Sequence, residues 1–154
     1  MSTDTPTEKT EFLSFRVHGQ DYAVNVNFVR EIRSWTKPTP LPHAPAFVQG
    51  VINLRGSVLS ILNLGVRLGL DPVDPAQSDR SVVIFVEIGD ETIGLKVDAV
   101  SDILAFTHEQ LSPPPSTSAQ EHRALIKSLA ILDDSIIRIL DLERLLEDDT
   151  LEAA

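Results

Sequence analysis

Hydrophobic residues along this chain fall in short runs, many with a period of two, and turn-forming residues interrupt them at roughly eight- to twelve-residue intervals. The densest region is Phe47 to Leu68, FVQGVINLRGSVLSILNLGVRL. Val51 to Leu54 is apolar apart from Asn53, Arg55-Gly56 breaks the run, and Val58 to Leu62 resumes it. Two aliphatic runs around a glycine-containing turn predict a β-hairpin. Apolar residues on both of its faces predict burial on both sides. Arg55 is the odd member: a permanent charge at the tip of an oily hairpin must reach water or a partner. Asn63 is suited to cap a short helix that Gly69 ends.

The same reading extends along the chain. Phe12 to Val17 and Tyr22 to Val26 are strands around a Gly19-Gln20-Asp21 turn, and Asn27 to Ile32 fits either a helical turn or an irregular strand. Trp35 to Pro45 holds Pro38, Pro40, Pro42 and Pro45, too many for a regular ladder, and is an extended loop. Ser81 to Ile88, Thr92 to Val97 and Val100 to Phe106 are strands. Leu111 to Ala119, with Pro113-Pro114-Pro115, is a loop, and Glu121 to Lys127 starts a helix or leads into the next strand. Ser128 to Leu132 and Ile136 to Leu140 flank an Asp133-Asp134 turn, and Asp141 caps a last amphipathic helix with Leu142, Leu145 and Leu146 on its inner face. About ten short strands indicate small β-barrels rather than a helical bundle.

The central pattern recurs. Leu129 to Leu146 aligns without gaps on Val51 to Leu68, with identities at Leu54/Leu132, Ser57/Ser135, Ile61/Ile139, Leu62/Leu140, Leu64/Leu142 and Leu68/Leu146. A weaker repeat links Phe15 to Ile32 with Phe85 to Ile103, so that Val29-Arg30-Glu31-Ile32 matches Val100-Ser101-Asp102-Ile103 after a one-residue slip. The order A, B, A′, B′ indicates internal duplication into two units of roughly 70 residues. The expected layout is a disordered tail over residues 1–10, a domain over 11–147 whose halves meet near 71–80, and an acidic tail over 148–154.

Charge narrows the partners. The net charge of −10 disfavours nucleic acid and anionic membrane surfaces. Asp141, Glu143, Glu147, Asp148, Asp149 and Glu152 face only Arg144 near the C-terminus, a pattern typical of a solvated helix end. The chain has no cysteine, no apolar run of membrane-spanning length and a polar N-terminus, which together point to a cytoplasmic protein without disulfides or membrane insertion. No catalytic or cofactor chemistry is expected. His18, His43, His108 and His122 are scattered, His108-Glu109 lacks the second histidine of a zinc-protease helix, and no phosphate-binding glycine loop or GxSxG elbow occurs.

Three segments carry a resemblance: Val29-x-Glu31-Ile32; Pro45-x-Phe47-Val48-x-Gly50-Val51-x-Asn53-Leu54-Arg55-Gly56; and Gly94-Leu95-x-Val97-Asp98-x-Val100-Ser101-Asp102-Ile103-Leu104. From about Glu11 to Leu146 the chain resembles the CheW family of bacterial chemotaxis coupling proteins. The resemblance implies a mainly β fold of two five-stranded SH3-like barrels around a shared hydrophobic core. It also implies a non-enzymatic adaptor that joins the cytoplasmic tip of a chemoreceptor to the regulatory domain of the histidine kinase CheA. Such a protein is expected to be monomeric alone and assembled within receptor arrays. Carried over by position, the resemblance associates Val29 and Gly50 with kinase binding, and Glu31, Arg55, Val82 and Ile103 with the receptor, Glu31 matching the acidic residue that accompanies the arginine.

Each assignment has a structural alternative. Val29, Val82 and Ile103 sit in apolar strands and are also suited to a core, while Gly50 suits a bulge or a close backbone approach. Ser60, Asn63, Gly65 and Ser128 depart from the family's usual residues. The other functional readings are a coupling protein of a related chemosensory pathway, serving pili or another output, and a free-standing SH3-like peptide-binding regulator. The latter needs a clustered aromatic groove, which Tyr22 and Trp35 do not form in sequence.

Overall fold

The computed structural model describes residues 9–70, 81–113 and 125–146. The strands are β1 (Lys9–Val17), β2 (Gln20–Asn25), β3 (Val29–Ser34), β4 (Val48–Leu54), β5 (Ser57–Asn63), β6 (Val82–Ile88), β7 (Glu91–Val97), β8 (Ala99–Thr107), β9 (Leu111–Ser112), β10 (Ile126–Leu132) and β11 (Ser135–Leu140). Two short helices follow the repeated hairpins, α1 (Leu64–Arg67) and α2 (Leu142–Leu146). One sheet has the order β8-β1-β2-β11-β10-β9 and the other β3-β6-β7-β5-β4.

The four antiparallel hairpins close through two-residue turns: His18-Gly19, Arg55-Gly56, Gly89-Asp90 and Asp133-Asp134. His18 and Gly19, like Arg55 and Gly56, both have positive φ, the geometry that matches the right-handed twist of the flanking strands. The first turn therefore lies one residue earlier than the glycine position alone suggests. The ambiguous Asn27 segment resolves into both expected forms: a 3₁₀ turn over Val26–Phe28, capped by the Asn25 side chain, runs straight into β3.

Duplication is visible in the pairing itself. A bulge between Val48 and Gly50 in the β4–β5 hairpin recurs between Ile126 and Ser128 in β10–β11, 78 residues later in each case. Each repeated hairpin then joins its sheet through a parallel pair, β5 with β7 and β11 with β2. Asn63 accepts from the Val66 amide at 3.2 Å and Asp141 from the Arg144 amide at 3.3 Å, so both caps are as the sequence predicts.

Alternation along the strands separates three apolar clusters. The Ile84 and Val86 face of β6 joins Leu13, Phe15, Val17, Tyr22 and Val24 from the other sheet in a shared core. Val83 and Phe85, one residue out of phase, pack with Ile61 inside their own sheet. The first sheet has the equivalent inner cluster of Phe12, Ala23, Phe106, Ala130, Ile137 and Ile139. Continuous apolar runs in β6 and β2 thus serve two cores at once. Each sheet curls closed. In one, the 3₁₀ turn His108–Gln110 carries the chain directly from the β8 edge to the β9 edge. In the other, Thr39 pairs with Val51 of β4 and takes the place that β9 has beside β10.

Three expectations are corrected. The first sheet has six strands rather than five, because β9 forms within the segment read as loop; a two-residue strand carries no periodic signal. Lys9 and Thr10, assigned to a disordered tail, belong to β1 and pair with Thr107 and Phe106 of β8. The repeated hairpins are buried on both sides only at their bases: Ile61 and Leu62 are inaccessible, whereas Val58 is 68% exposed. Residues 1–8, 71–80 and 148–154, on which the tail and linker expectations fall, lie outside the described residues.

Candidate interaction site

The Arg55 turn is held locally by the Asn53 side chain, whose Oδ1 accepts from the Gly56 amide at 2.9 Å. A left-handed φ of 54° at Arg55 is unusual for a side-chain-bearing residue. From this tip the guanidinium reaches β3 and forms a two-pronged bond with Glu31: Nη1 donates to Oε2 at 2.7 Å and Nη2 to Oε1 at 3.1 Å. Arg33 Nη1 donates to the same Oε1 at 3.1 Å. The Arg55 hydrogen bond is the main cause holding the Glu31 carboxyl below its ordinary pKa, and the same bond raises that of Arg55.

Glu31 and Arg55, 24 residues apart in sequence, are therefore joined as the sequence predicts. The other candidates are dispersed. Val29 lies opposite Val86 and Val82 opposite Ser34, at the two ends of the β3–β6 pair, and both pack half-buried against the shared core. Ile103 is in the other sheet, opposite Leu13, and is 57% exposed, so core packing is not its role.

Gly50 is buried at the β4 bulge with φ 144°, and a Cβ there would lie 2.2 Å from the Thr39 carbonyl oxygen. Thr39 and Val51 exchange both backbone hydrogen bonds at 2.9 Å, pinning the proline-rich loop over this glycine. The close backbone approach anticipated for Gly50 is present.

Two features went unread in the sequence. Arg33 is the third member of the charged cluster. Its signal was the strand period, which puts residues 31 and 33 on one face. The second is the apolar surface near the β10–β11 tip, where the paired residues Ile131 and Ile136 are 58% and 49% exposed. Among the described residues no group of three or more metal-ligating side chains occurs, and no helix is long and apolar enough to cross a membrane.

Fold and site together define a paired β-barrel domain that carries a charged cluster on one sheet and exposed apolar residues on the other. The chain belongs to the family described as the CheW-like domain, whose model matches residues 11–150. It is 43% identical over 144 residues to the probable chemotaxis protein CheW of Rhizobium etli, covering 94% of this chain and 92% of that protein. It is 32% identical over 139 residues to the chemotaxis protein CheW of Klebsiella aerogenes, covering 90% and 82%. The crystal structure of the scaffolding protein TtCheW from Thermoanaerobacter tengcongensis superposes with a TM-score of 0.83 at 29% identity, covering 93% of this chain and 96% of that one.

Proposed function

We propose that this protein is a cytoplasmic, non-enzymatic chemotaxis scaffold that couples the tip of a chemoreceptor to a CheA-type histidine kinase. The observation that carries the reading is the Glu31–Arg55 pair. The duplicated hairpin places Asp133 where Arg55 stands, so the fold does not require a guanidinium at that turn. With 69% of its side chain exposed, Arg55 is available to a partner. Family membership and the relatives named for chemotaxis support the same role.

In this reading Glu31, Arg55, Val82 and Ile103 serve the receptor, with Ile103 as an apolar contact. Val29 and Gly50 serve the kinase, Gly50 by seating the loop at Thr39 and Val29 from its half-exposed place on β3.

Co-sedimentation with receptor-tip fragments and kinase, alongside thermal melting, tests this assignment. Arg55→Ala is expected to melt close to wild type yet fail to transmit receptor state to kinase activity. Arg55→Lys should restore coupling only in part, because a point charge cannot reproduce the guanidinium fork. Val29→Asp should weaken kinase binding more than receptor binding, and Ile103→Asp the reverse. Loss of both partners to the same extent by two folded variants would overturn the two-surface assignment.

A further inference from the structure

Arg33 and Arg55 share one carboxylate, and the internal duplication shows that the scaffold needs neither. Extending the alignment of Glu31-Ile32 with Asp102-Ile103 by one residue sets Leu104 against Arg33, and Asp133 already stands against Arg55. The barrel of the six-stranded sheet folds without either guanidinium. There the Asp102 backbone amide and carbonyl are satisfied by the Ser14 hydroxyl at 3.1 and 3.0 Å. The two arginines are thus a joint property of the barrel of the five-stranded sheet.

Their arrangement has a chemical consequence. Glu31 neutralises one of two positive charges, leaving a local excess of +1 on a chain whose net charge is −10. Its side chain is only 25% exposed, while those of Arg33 and Arg55 are 46% and 69% exposed. The acid is the recessed anchor and the guanidiniums face outward. Two of the five N–H donors of Arg55 and one of those of Arg33 are used on Glu31. Planar guanidiniums held at fixed spacing are suited to bind a further carboxylate.

We propose that Arg33 and Arg55 form one two-armed site, spaced by Glu31, for a carboxylate side chain on the receptor tip. This rests on the receptor-coupling reading above and adds to it the chemistry of the contact and a second arm. Charge complementarity selects an acidic side chain: an acidic protein that reserves an outward-facing cationic spot attracts a carboxylate there and repels it elsewhere.

The test measures binding of a soluble receptor-tip fragment to wild type, Arg33→Ala, Arg33→Lys, Arg55→Ala and the double alanine variant, at low and high salt. Arg33→Ala should bind about three- to tenfold more weakly at low salt with an unchanged melting temperature, and Arg33→Lys should recover part of the loss. The double variant should lose less than the product of the single losses, because the arms act together. Glutamates of the fragment changed singly to glutamine should include one that weakens binding to wild type but not to Arg33→Ala. Wild-type affinity in Arg33→Ala, or independent multiplicative losses, overturns the two-armed site while leaving the coupling role intact. Failure of wild type itself to bind the fragment overturns both.

Discussion

At the scale of single residues, the surface chemistry turns on Glu31. Its carboxyl is held below the ordinary pKa chiefly by the Arg55 hydrogen bond. A depressed folded-state pKa means that the pair's contribution is complete above the ordinary carboxylate range, about 4.3, and is lost as pH falls through the lower folded value. Titration of Glu31 by side-chain NMR is expected to give a midpoint below that of a free glutamate, rising in Arg55→Ala and by a smaller amount in Arg33→Ala. An unchanged midpoint in Arg55→Ala would show that the pair does not persist in solution. The Glu31–Arg55 pairing was legible because an arginine in an oily hairpin needs water or a partner, and the resemblance of the Val29-x-Glu31-Ile32 segment pointed to Glu31 as that partner. Arg33 was not, since a charged residue on an exposed strand edge looks like ordinary surface until the carboxylate between the two arginines is located.

Element by element, the hairpins were legible and their exposure was not. Periodicity marks which residues share a face, but it does not say how far a hairpin projects beyond the body that buries it. Hence Ile61 is 1% exposed while Val58, three residues away on the same strand, is 68% exposed. Ile61 and Leu140, in the inner cluster and the shared core, should each cost about 2–5 kcal/mol when replaced by alanine. Val58→Ala should stay within about 0.5 kcal/mol of wild type. Urea unfolding of the three variants checks both statements, and equal midpoints would mean that the clusters are misassigned. Gly94 shows what else the pattern conceals. A Cβ there would lie 2.6 Å from Ile61 Cδ1 and 2.7 Å from Val83 Cγ1. Ala23, also parallel-paired with the hairpin isoleucine, occupies the corresponding place in the other barrel. The difference of one methyl is a matter of local volume, invisible without the neighbours.

For the whole molecule, the order A, B, A′, B′ was readable, but which unit pairs with which was not, because sequence similarity carries no pairing information. The first sheet takes β1 and β2 from the N-terminal half and β8 to β11 from the C-terminal half; the second takes β3 to β5 and then β6 and β7. Each half therefore holds incomplete pieces of both sheets. A chain divided between Leu70 and Ser81 is expected to give two fragments that do not unfold cooperatively alone but regain a cooperative transition when mixed. Calorimetry of each fragment and of the mixture decides this, and independent cooperative melting of either fragment would contradict it.

The same interleaving sets a timetable for synthesis on the ribosome. All five strands of the second sheet lie between Val29 and Val97, so that sheet can close while the chain is still being made. The β1–β2 hairpin emerges first yet must wait for its parallel partner β11, whose Arg138 and Ile139 pair with Tyr22 and Ala23 across more than a hundred residues. Until then Phe12 and Ala23, all but inaccessible in the finished fold, stand without the cover of Ala130, Ile137 and Ile139. The first-made hairpin of the domain is thus the last to be enclosed, and the interval before β11 emerges is when it is most open to holding chaperones and to mispairing with neighbouring chains.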